Sequence, residues 1–278
     1  MLNQIYIDNL IKTALLEDNN YCDSASVHLL SEEQKDFAYF QAKDDGVLSG
    51  LNIAFRVFEI LDSSFEYKTK FKDGDKVKKG DIIAEFSGKT IFLLQGERVA
   101  LNILCHMSGI ATATAKLVNL CNGTKASVAD TRKTLPGLRN IEKYAVYCGG
   151  GKNHRYNLSD CAMLKDNHID AAGGIKNAVS KIKSKLGHTV KIEVETRNLE
   201  EVRQALDSKA DIIMLDNMTI SQMQEAVSLI DGKAITEASG NVTEQTISEI
   251  AKTGVDVISS GALTHSAKTL DISMKFRA

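Results

Sequence analysis

The sequence predicts an α/β protein whose larger part is a parallel sheet built from strand–helix units. Short apolar runs recur regularly through the second half of the chain, and each run ends in a polar residue. Helical patterns such as 199–206 and 223–230 fill the gaps. Strands that alternate with helices in this way are typical of a parallel sheet. The residues that end the six runs are Asp130, Lys165, Glu195, Asp216, Ser239 and Ser259.

Two architectures fit this alternation. In a βα-barrel, the carboxyl ends of the strands line one mouth, where such enzymes place their active sites. The six strand-end side chains would then converge although they are far apart in sequence. Six units are fewer than the eight of a complete barrel. A doubly wound open sheet is the alternative.

The first part of the chain has a different pattern. Residues 2–16 show helical spacing, and residues 36–70 alternate like strands. Two glycine-containing turns in 71–88 separate short β-branched runs and predict a hairpin-rich sheet. Residues 89–120 predict a helix. A Gly-Asp-x-Val-x-x-Gly-Asp pattern in 71–88 also occurs in biotinyl and lipoyl carrier domains, but no Met-Lys-Met follows it.

The length of 278 residues suits one large domain or two smaller ones. We place a boundary near Ser108-Gly109, which gives an N-terminal domain of residues 1–108 and a catalytic domain of residues 109–278. The tail, residues 266–278, is a candidate to pack back on the first domain.

Composition excludes several classes of protein. A net charge of −2 gives no reason to expect nucleic acid as a partner. No run approaches the roughly 20 apolar residues that span a membrane. The five cysteines are scattered, odd in number and without a Cys-x-x-Cys, which favours neither a zinc cluster nor a disulfide framework. A cytoplasmic protein in a reducing compartment fits best.

A cationic stretch runs from Asp130 to His168. It contains the only proline, Pro136, the only glycine triplet, Gly149-Gly150-Gly151, and seven Lys or Arg side chains against four acids. Because guanidinium groups bind carboxylate and phosphate at two points, a cluster of this kind suits small anions.

Two glycine turns predict a phosphate site. Ser239-Gly240-Asn241 and Ser260-Gly261-Ala262 each follow an apolar strand, and backbone N–H groups at such strand-to-helix turns suit an anion. Ordinary strand-to-helix turns are the alternative.

Two acids lie at the ends of adjacent predicted strands. Glu195 and Asp216 are candidates to hold Mg²⁺, directly or through water, or to bind sugar hydroxyls. A salt-bridged core pair is the alternative. Glu193 shares the face of Glu195 and is expected to lie deeper, as a structural charge partner.

The motifs of the cationic stretch resemble a known family. They are Asp130-Thr-Arg-Lys-Thr with Pro136-Gly-Leu-Arg, Glu142-Lys-Tyr-Ala-Val, Gly149-Gly-Gly-Lys-Asn-His-Arg and Leu164-Lys-Asp-Asn-His. In this order and spacing they are similar to those of the quinolinate phosphoribosyltransferases. The resemblance implies an incomplete βα-barrel joined to an N-terminal open-faced α/β sandwich.

The resemblance also implies a reaction. The family transfers phosphoribosyl from phosphoribosyl pyrophosphate to quinolinate with decarboxylation, and gives nicotinate mononucleotide. Residues expected to surround the pyridine dicarboxylate are Arg98, Arg132, Lys133, His154, Arg155 and Lys165. Thr131 is a further expected substrate-binding residue. Lys133, Lys165, Glu195 and Asp216 are the candidate catalytic residues, with Mg²⁺ as cofactor. In the family, the residue matching Arg98 crosses into the partner's site, which implies a homodimer or a hexamer of dimers.

Other functions remain open at this point. A relative found with molybdate transport genes shares much of the pattern. Lys165 follows a predicted buried strand, so a Schiff-base aldolase with Lys165 as nucleophile is a second interpretation. A carrier or ligand sensor based on 71–88 is a third.

Overall fold

The computed structural model describes residues 2–277, which form two units. The first unit contains the chain up to Ala113, residues 140–150 and the segment from Ala267 onwards. The second contains Thr114–Arg139 and Gly151–Ser266. The predicted boundary at Ser108-Gly109 is therefore no break in the backbone, because it lies within one long helix. The division also differs from the predicted one in assigning 140–150 to the first unit, whereas the segment from Ala267 lies in that unit, in line with the expectation for the tail.

The first unit contains an antiparallel sheet and helices. Its elements, in chain order, are α1 (Gln4–Asp18), α2 (Ser26–Leu29), β1 (Lys35–Ala42), β2 (Gly46–Val47), α3 (Leu51–Leu61), β3 (Glu66–Thr69), β4 (Lys76–Val77), β5 (Ile82–Lys89), α4 (Thr90–Leu120, of which the residues from Thr114 belong to the second unit), α5 (Arg139–Cys148, of which the residues from Asn140 belong to the first unit) and β12 (Ile272–Phe276). Four strands form the sheet in the order β12-β1-β5-β3, and β2 pairs with β4 in a two-stranded ribbon.

The C-terminal strand β12 completes this sheet. It pairs antiparallel with β1, with Phe40 opposite Met274 and Ala42 opposite Ile272. Phe40 and Ala42 point into the core, since side chains on a strand alternate between its two faces. The tail is therefore part of the first unit's core and not an appendage.

Strands were predicted throughout 36–70, but residues Leu51–Leu61 form helix α3. Gly50 has φ +93 and the helix begins directly after it. Leu51, Ala54, Phe55 and Phe58 are buried, and their spacing of three and four residues is that of one helix face. The run from Leu51 to Leu61 is almost continuously apolar, so period-two alternation could not be distinguished from a buried helix.

An aromatic cluster fills the space between α3 and the sheet. The Phe58 ring lies 5.2 Å from that of Phe65, 5.4 Å from Phe86 and 6.3 Å from Phe40, measured between centroids. Phe58 and Phe40 are fully buried. Rings at these separations add to the free energy gained from their burial.

The second unit is a six-stranded parallel sheet with helices between its strands. The elements are β6 (Ser127–Ala129), β7 (Cys161–Leu164), α6 (Asp166–Ala172), α7 (Ile175–Lys183), β8 (Lys191–Thr196), α8 (Leu199–Asp207), β9 (Ile212–Asp216), α9 (Ile220–Ile230), β10 (Ile235–Ser239), α10 (Ile247–Lys252), β11 (Val257–Ser259) and α11 (Ala262–His265). The strand order in the sheet is β6-β11-β10-β9-β8-β7. The six predicted strands are confirmed.

The strand order identifies an incomplete barrel. Strands β7 to β11 follow one another in chain order, and the first strand, β6, then pairs with the last, β11. A doubly wound sheet would instead reverse direction from a central first strand. The sheet is open between β6 and β7, where Lys152 makes a parallel bridge to Ala129. The barrel prediction is confirmed and the doubly wound alternative is wrong.

Within residues 2–277, no helix has both the length and the apolar character needed to cross a bilayer.

The aromatic cluster yields a stability prediction. Phe58→Ala should lower the free energy of unfolding by about 3–5 kcal/mol, because it leaves a cavity among packed rings. Phe37→Ala is the matched control: Phe37 is 66% exposed, and its loss should cost less than about 0.5 kcal/mol. Urea denaturation followed by circular dichroism measures both. Equal losses would contradict the assignment of this core.

Candidate active site

A cavity of about 860 Å³ opens at the carboxyl ends of the parallel strands of the second unit. Its volume is in the range of small-molecule sites. Every predicted site residue except Arg98 lines it: Thr131, Arg132, Lys133, His154, Arg155, Lys165, Glu195, Asp216, Ser239, Gly240, Asn241, Ser260, Gly261 and Ala262. Arg98 belongs to the first unit, where its side chain is exposed on α4.

One wall of the cavity is cationic. Arg132 has a buried Nε atom that finds no hydrogen-bond partner among residues 2–277. Burial, together with the nearby Arg155 and Arg139, holds the pKa of Arg132 below its ordinary value. Both observations indicate a guanidinium group whose partner is a ligand, because a buried donor left unpaired is costly.

The neighbouring arginines are oriented by neutral acceptors. Arg155 donates from Nη1 to the carbonyl oxygen of Cys161 at 2.8 Å, and its Nη2 lies 3.5 Å from the sulfur of Met163. Arg139 donates to Thr134 Oγ1 at 3.0 Å and to the carbonyl oxygens of Tyr156 and Arg132. Within the described chain, none of these three arginines forms an ion pair. Their combined charge is therefore available to an anion.

His154 lies on a buried pair of acids at the base of the site. Its Nε2 atom is 3.2 Å from Glu193 Oε2 and 3.5 Å from Glu237 Oε2. Glu193 and Glu237 come from alternate strands, β8 and β10, as barrel interiors require. Asp130, also buried, holds the His154 segment by accepting from its backbone N–H at 2.9 Å. Glu193 is thus a charge partner of His154, deep in the barrel.

Two effects determine the protonation of His154. Burial lowers its pKa, and hydrogen bonds to Glu193 and Glu237 raise it more, to about 10. The Arg155 N–H lies 2.7 Å from Nδ1, an arrangement that suits the neutral ring. Two buried carboxylates outweigh one amide dipole, so the imidazolium form prevails at neutral pH. Burial and the neighbouring Glu237 also raise the pKa of Glu193.

A second part of the lining is acidic. Lys165 follows β7 and its Nζ lies 2.9 Å from Glu195 Oε2 at the end of β8. Asp216, at the end of β9, accepts from Asn217 Nδ2 at 3.0 Å. The Lys165 Nζ is engaged in this ion pair, whereas a Schiff-base nucleophile needs its amine free to attack a carbonyl carbon. This contact disfavours the aldolase interpretation.

The two glycine turns form the remaining side. A Cβ atom on Gly240 would lie 2.1 Å from Asn217 Oδ1, and one on Gly261 would lie 2.8 Å from Lys133 Cδ. Any residue larger than glycine at position 240 or 261 would therefore displace the side chain of Asn217 or Lys133. The buried Oγ of Ser259 has no partner among residues 2–277, as is also true of Glu237 Oε1. Such groups at a cavity wall indicate a polar ligand or water.

Two sets of residues offer metal ligands. Atoms of His154, Glu193 and Glu237 lie within 4.8 Å of one another. Their hydrogen bonds and the proton on His154 occupy these atoms, so the set is better described as a salt-bridged cluster. Glu195 and Asp216 offer only oxygen atoms at the open mouth, which is the donor type that Mg²⁺ prefers.

Several residues at the site were not assigned a role from the sequence. Arg139 is the last residue of the Pro-Gly-Leu-Arg motif, and Asn217 directly follows the strand-end acid Asp216. Their positions in the sequence could therefore have indicated a role for both. Glu237 lies two residues before Ser239 and therefore on the same inward face. His265, on α11, lines the cavity without any sequence signal.

The fold and cavity define a class: a βα-barrel that binds a multiply charged anion at the carboxyl ends of its strands. Models of the N- and C-terminal domains of quinolinate phosphoribosyl transferase match residues 23–108 and 110–275. The chain belongs to the quinolinate phosphoribosyltransferase family.

Known proteins of this family are similar to this chain over almost its full length. The chain is 43% identical to quinolinate phosphoribosyltransferase [decarboxylating] 2b, mitochondrial, from Nicotiana tabacum, over 97% of this chain and 82% of that protein. It is 42% identical to a probable nicotinate-nucleotide pyrophosphorylase [carboxylating] from Bacillus subtilis, over 98% and 94%. The crystal structure of NadC from Streptococcus pyogenes superposes with a TM-score of 0.96 at 42% identity, covering 100% of this chain and 99% of that one.

The protonation of His154 gives a testable prediction. Because its pKa in the folded state exceeds the ordinary value of 6.5, its contribution to stability is complete below that pH and is lost as the pH rises through about 10. In ¹⁵N-edited NMR spectra at pH 8, both ring nitrogens should have imidazolium shifts. The His154→Gln variant identifies the resonance. Shifts of a neutral ring at pH 8 would contradict the assignment.

Proposed function

We propose that this protein transfers the phosphoribosyl group of phosphoribosyl pyrophosphate to quinolinate and releases pyrophosphate and CO₂, giving nicotinate mononucleotide in NAD biosynthesis. The observation that carries the proposal is the group of three arginines without ion pairs. Quinolinate has two adjacent carboxylates, and their desolvation is tolerable only beside fixed cations.

The two walls divide the substrates by charge. The cationic wall of Arg132, Arg139 and Arg155 receives the dicarboxylate, with Thr131, Lys133 and His154 beside it. The turns Ser239-Gly240-Asn241 and Ser260-Gly261-Ala262 receive the 5-phosphate through backbone N–H groups. This division leaves Glu195 and Asp216 facing the ribose.

The first chemical step needs no protein nucleophile. The pyridine nitrogen attacks the anomeric carbon, and the bond to pyrophosphate breaks with its electron pair leaving on oxygen. Positive charge develops on the ribose, and Glu195 and Asp216 stabilise it from fixed positions. Orientation of the two substrates supplies much of the remaining rate enhancement.

The second step releases CO₂. The bond from the ring to the 2-carboxylate breaks, and its electron pair stays on the ring carbon beside the cationic nitrogen. A proton then reaches that carbon. Lys133 and Lys165 are the candidate donors, since both line the cavity.

Magnesium is proposed as the cofactor. Glu195 and Asp216 would hold it, directly or through water, together with oxygens of the substrate. When bound, the ion neutralises charge on the pyrophosphate leaving group. Lys165, which pairs with Glu195, would share that carboxylate.

The assembly is proposed to be a homodimer in which Arg98 reaches the partner's site, or a hexamer of such dimers. The exposure of the Arg98 side chain on α4 supports this role. The cytoplasm is the proposed location, and the five free thiols support a reducing compartment.

Product formation is the decisive measurement. The purified protein with quinolinate, phosphoribosyl pyrophosphate and Mg²⁺ should form nicotinate mononucleotide, detected by chromatography. Asp216→Asn should lower kcat about 10²- to 10³-fold with the circular dichroism spectrum unchanged, because it removes one preorganised charge. The absence of product with the natural sequence would exclude the function.

The division by charge predicts selective losses of binding. Arg132→Ala should weaken quinolinate binding by about 2–3 kcal/mol, since a hydrogen-bonded charge is lost, and should affect phosphoribosyl pyrophosphate less. Arg203→Ala, a half-exposed arginine on α8, is the matched control. Titration calorimetry measures each ligand separately. Equal losses for both ligands would refute the division.

A shared site can be tested by mixing subunits. Arg98→Ala and Asp216→Asn homodimers should each be nearly inactive. After dissociation and reassembly, about a quarter of the natural activity should return, because half of the dimers are mixed and each contains one intact site. If Arg98 acts within its own chain, mixing restores nothing.

A further inference from the structure

Two asparagines at the mouth of the barrel have unusual backbone conformations. Asn217 directly follows β9 and has φ +53, and Asn241 is the last residue of the turn after β10 and has φ +50. Left-handed conformations are uncommon outside glycine, although asparagine tolerates them better than most residues. Such strain tends to persist where the surrounding structure needs it.

The Asn217 side chain connects a carboxylate to a phosphate turn. Its Nδ2 donates to Asp216 Oδ2 at 3.0 Å, and its Oδ1 accepts from Asn241 Nδ2 at 3.3 Å. Its backbone N–H donates to the carbonyl oxygen of Ser239 at 2.9 Å. The Asn217 amide therefore contacts two elements: its nitrogen orients the Asp216 carboxylate, and its oxygen contacts the loop that follows β10.

Gly240 fixes the position of that amide. It has φ +91, and a Cβ atom there would lie 2.1 Å from Asn217 Oδ1 and 2.5 Å from its Cγ. The glycine thus serves the loop in two ways. It permits the left-handed turn, and it leaves space for the Asn217 amide beside the loop backbone.

We propose that Asn217 is a positioning residue that couples the seating of the substrate's phosphate on Ser239-Gly240-Asn241 to the orientation of the Asp216 carboxylate. The inference rests on the proposed function and adds a role to it. With the loop held by a phosphate, Asn241 and Gly240 confine the Asn217 amide, and the amide holds one oxygen of Asp216. Binding at the remote phosphate then contributes to charge stabilisation at the ribose.

The left-handed backbone allows a clean substitution. Asn217→Gly removes the amide but adopts φ +53 without strain. Asp231→Gly is the matched control, because Asp231 also has a positive φ, of +49, and caps α9 without lining the cavity. Asn217→Gly should lower kcat/KM for phosphoribosyl pyrophosphate by about 10- to 100-fold, the range for losing a hydrogen bond to a charged group. Its Kd for quinolinate alone should not change, and Asp231→Gly should match the natural enzyme.

A double-mutant cycle separates positioning from mere structure. If Asn217 acts through Asp216, the Asn217→Gly/Asp216→Asn enzyme should be no slower than Asp216→Asn alone. Multiplying losses would overturn the inference, as would an equal weakening of quinolinate binding by Asn217→Gly.

Crystal structures without ligand test the same inference independently of turnover. In Asn217→Gly, the Asp216 carboxylate should leave its present rotamer. An unchanged Asp216 would overturn the proposal. Should the natural protein form no nicotinate mononucleotide, the proposed function fails, and these structures alone decide whether Asn217 positions Asp216.

Discussion

The pairing of β6 with β11 is the constraint on which the site depends. It places β6, the first of these strands in the chain, beside β11, the last, so that β6 and β7 are the two edges of the curved sheet and Lys152 bridges to Ala129 at the gap between them. The curvature brings His154, which lies beyond β6, within 3.5 Å of acids on β8 and β10. In a flat sheet, strands lie about 4.8 Å apart, so strands β8 and β10 could not both reach one imidazole at the far edge.

In the same cavity, the cationic side chains and the acidic side chains occupy different parts of the lining. Arginines from the segments after β6 form one wall, and the acids that end β8 and β9 form the other. Where opposite charges meet, as in Lys165 with Glu195, they neutralise each other. Where they do not, as at Arg132, the protein keeps an unsatisfied cation. A ligand that is an anion at one end and develops positive charge at the other complements this arrangement.

The sequence was most informative where chemistry and periodicity coincide. Each of the six strands was predictable because a buried apolar run ends in a polar residue, and a barrel needs that residue at the mouth. Helix α3 was not, since a nearly uniform apolar run has no period that separates helix from strand. The pairing of Asn217 with Asn241 was also beyond reach, because it depends on the left-handed backbone of two loops. Arg98 shows a further limit: it does not line the cavity of its own chain, so its expected role at a partner's site stays a prediction.

The unpaired arginines have a consequence for the lifetime of the protein. Like charges held close together and partly out of water oppose folding, so these arginines lower the stability of the barrel that contains them. Any dianion that fills the site relieves this repulsion and stabilises the native state by mass action. Resistance to proteolysis would then rise with the concentration of the dianion that occupies the site.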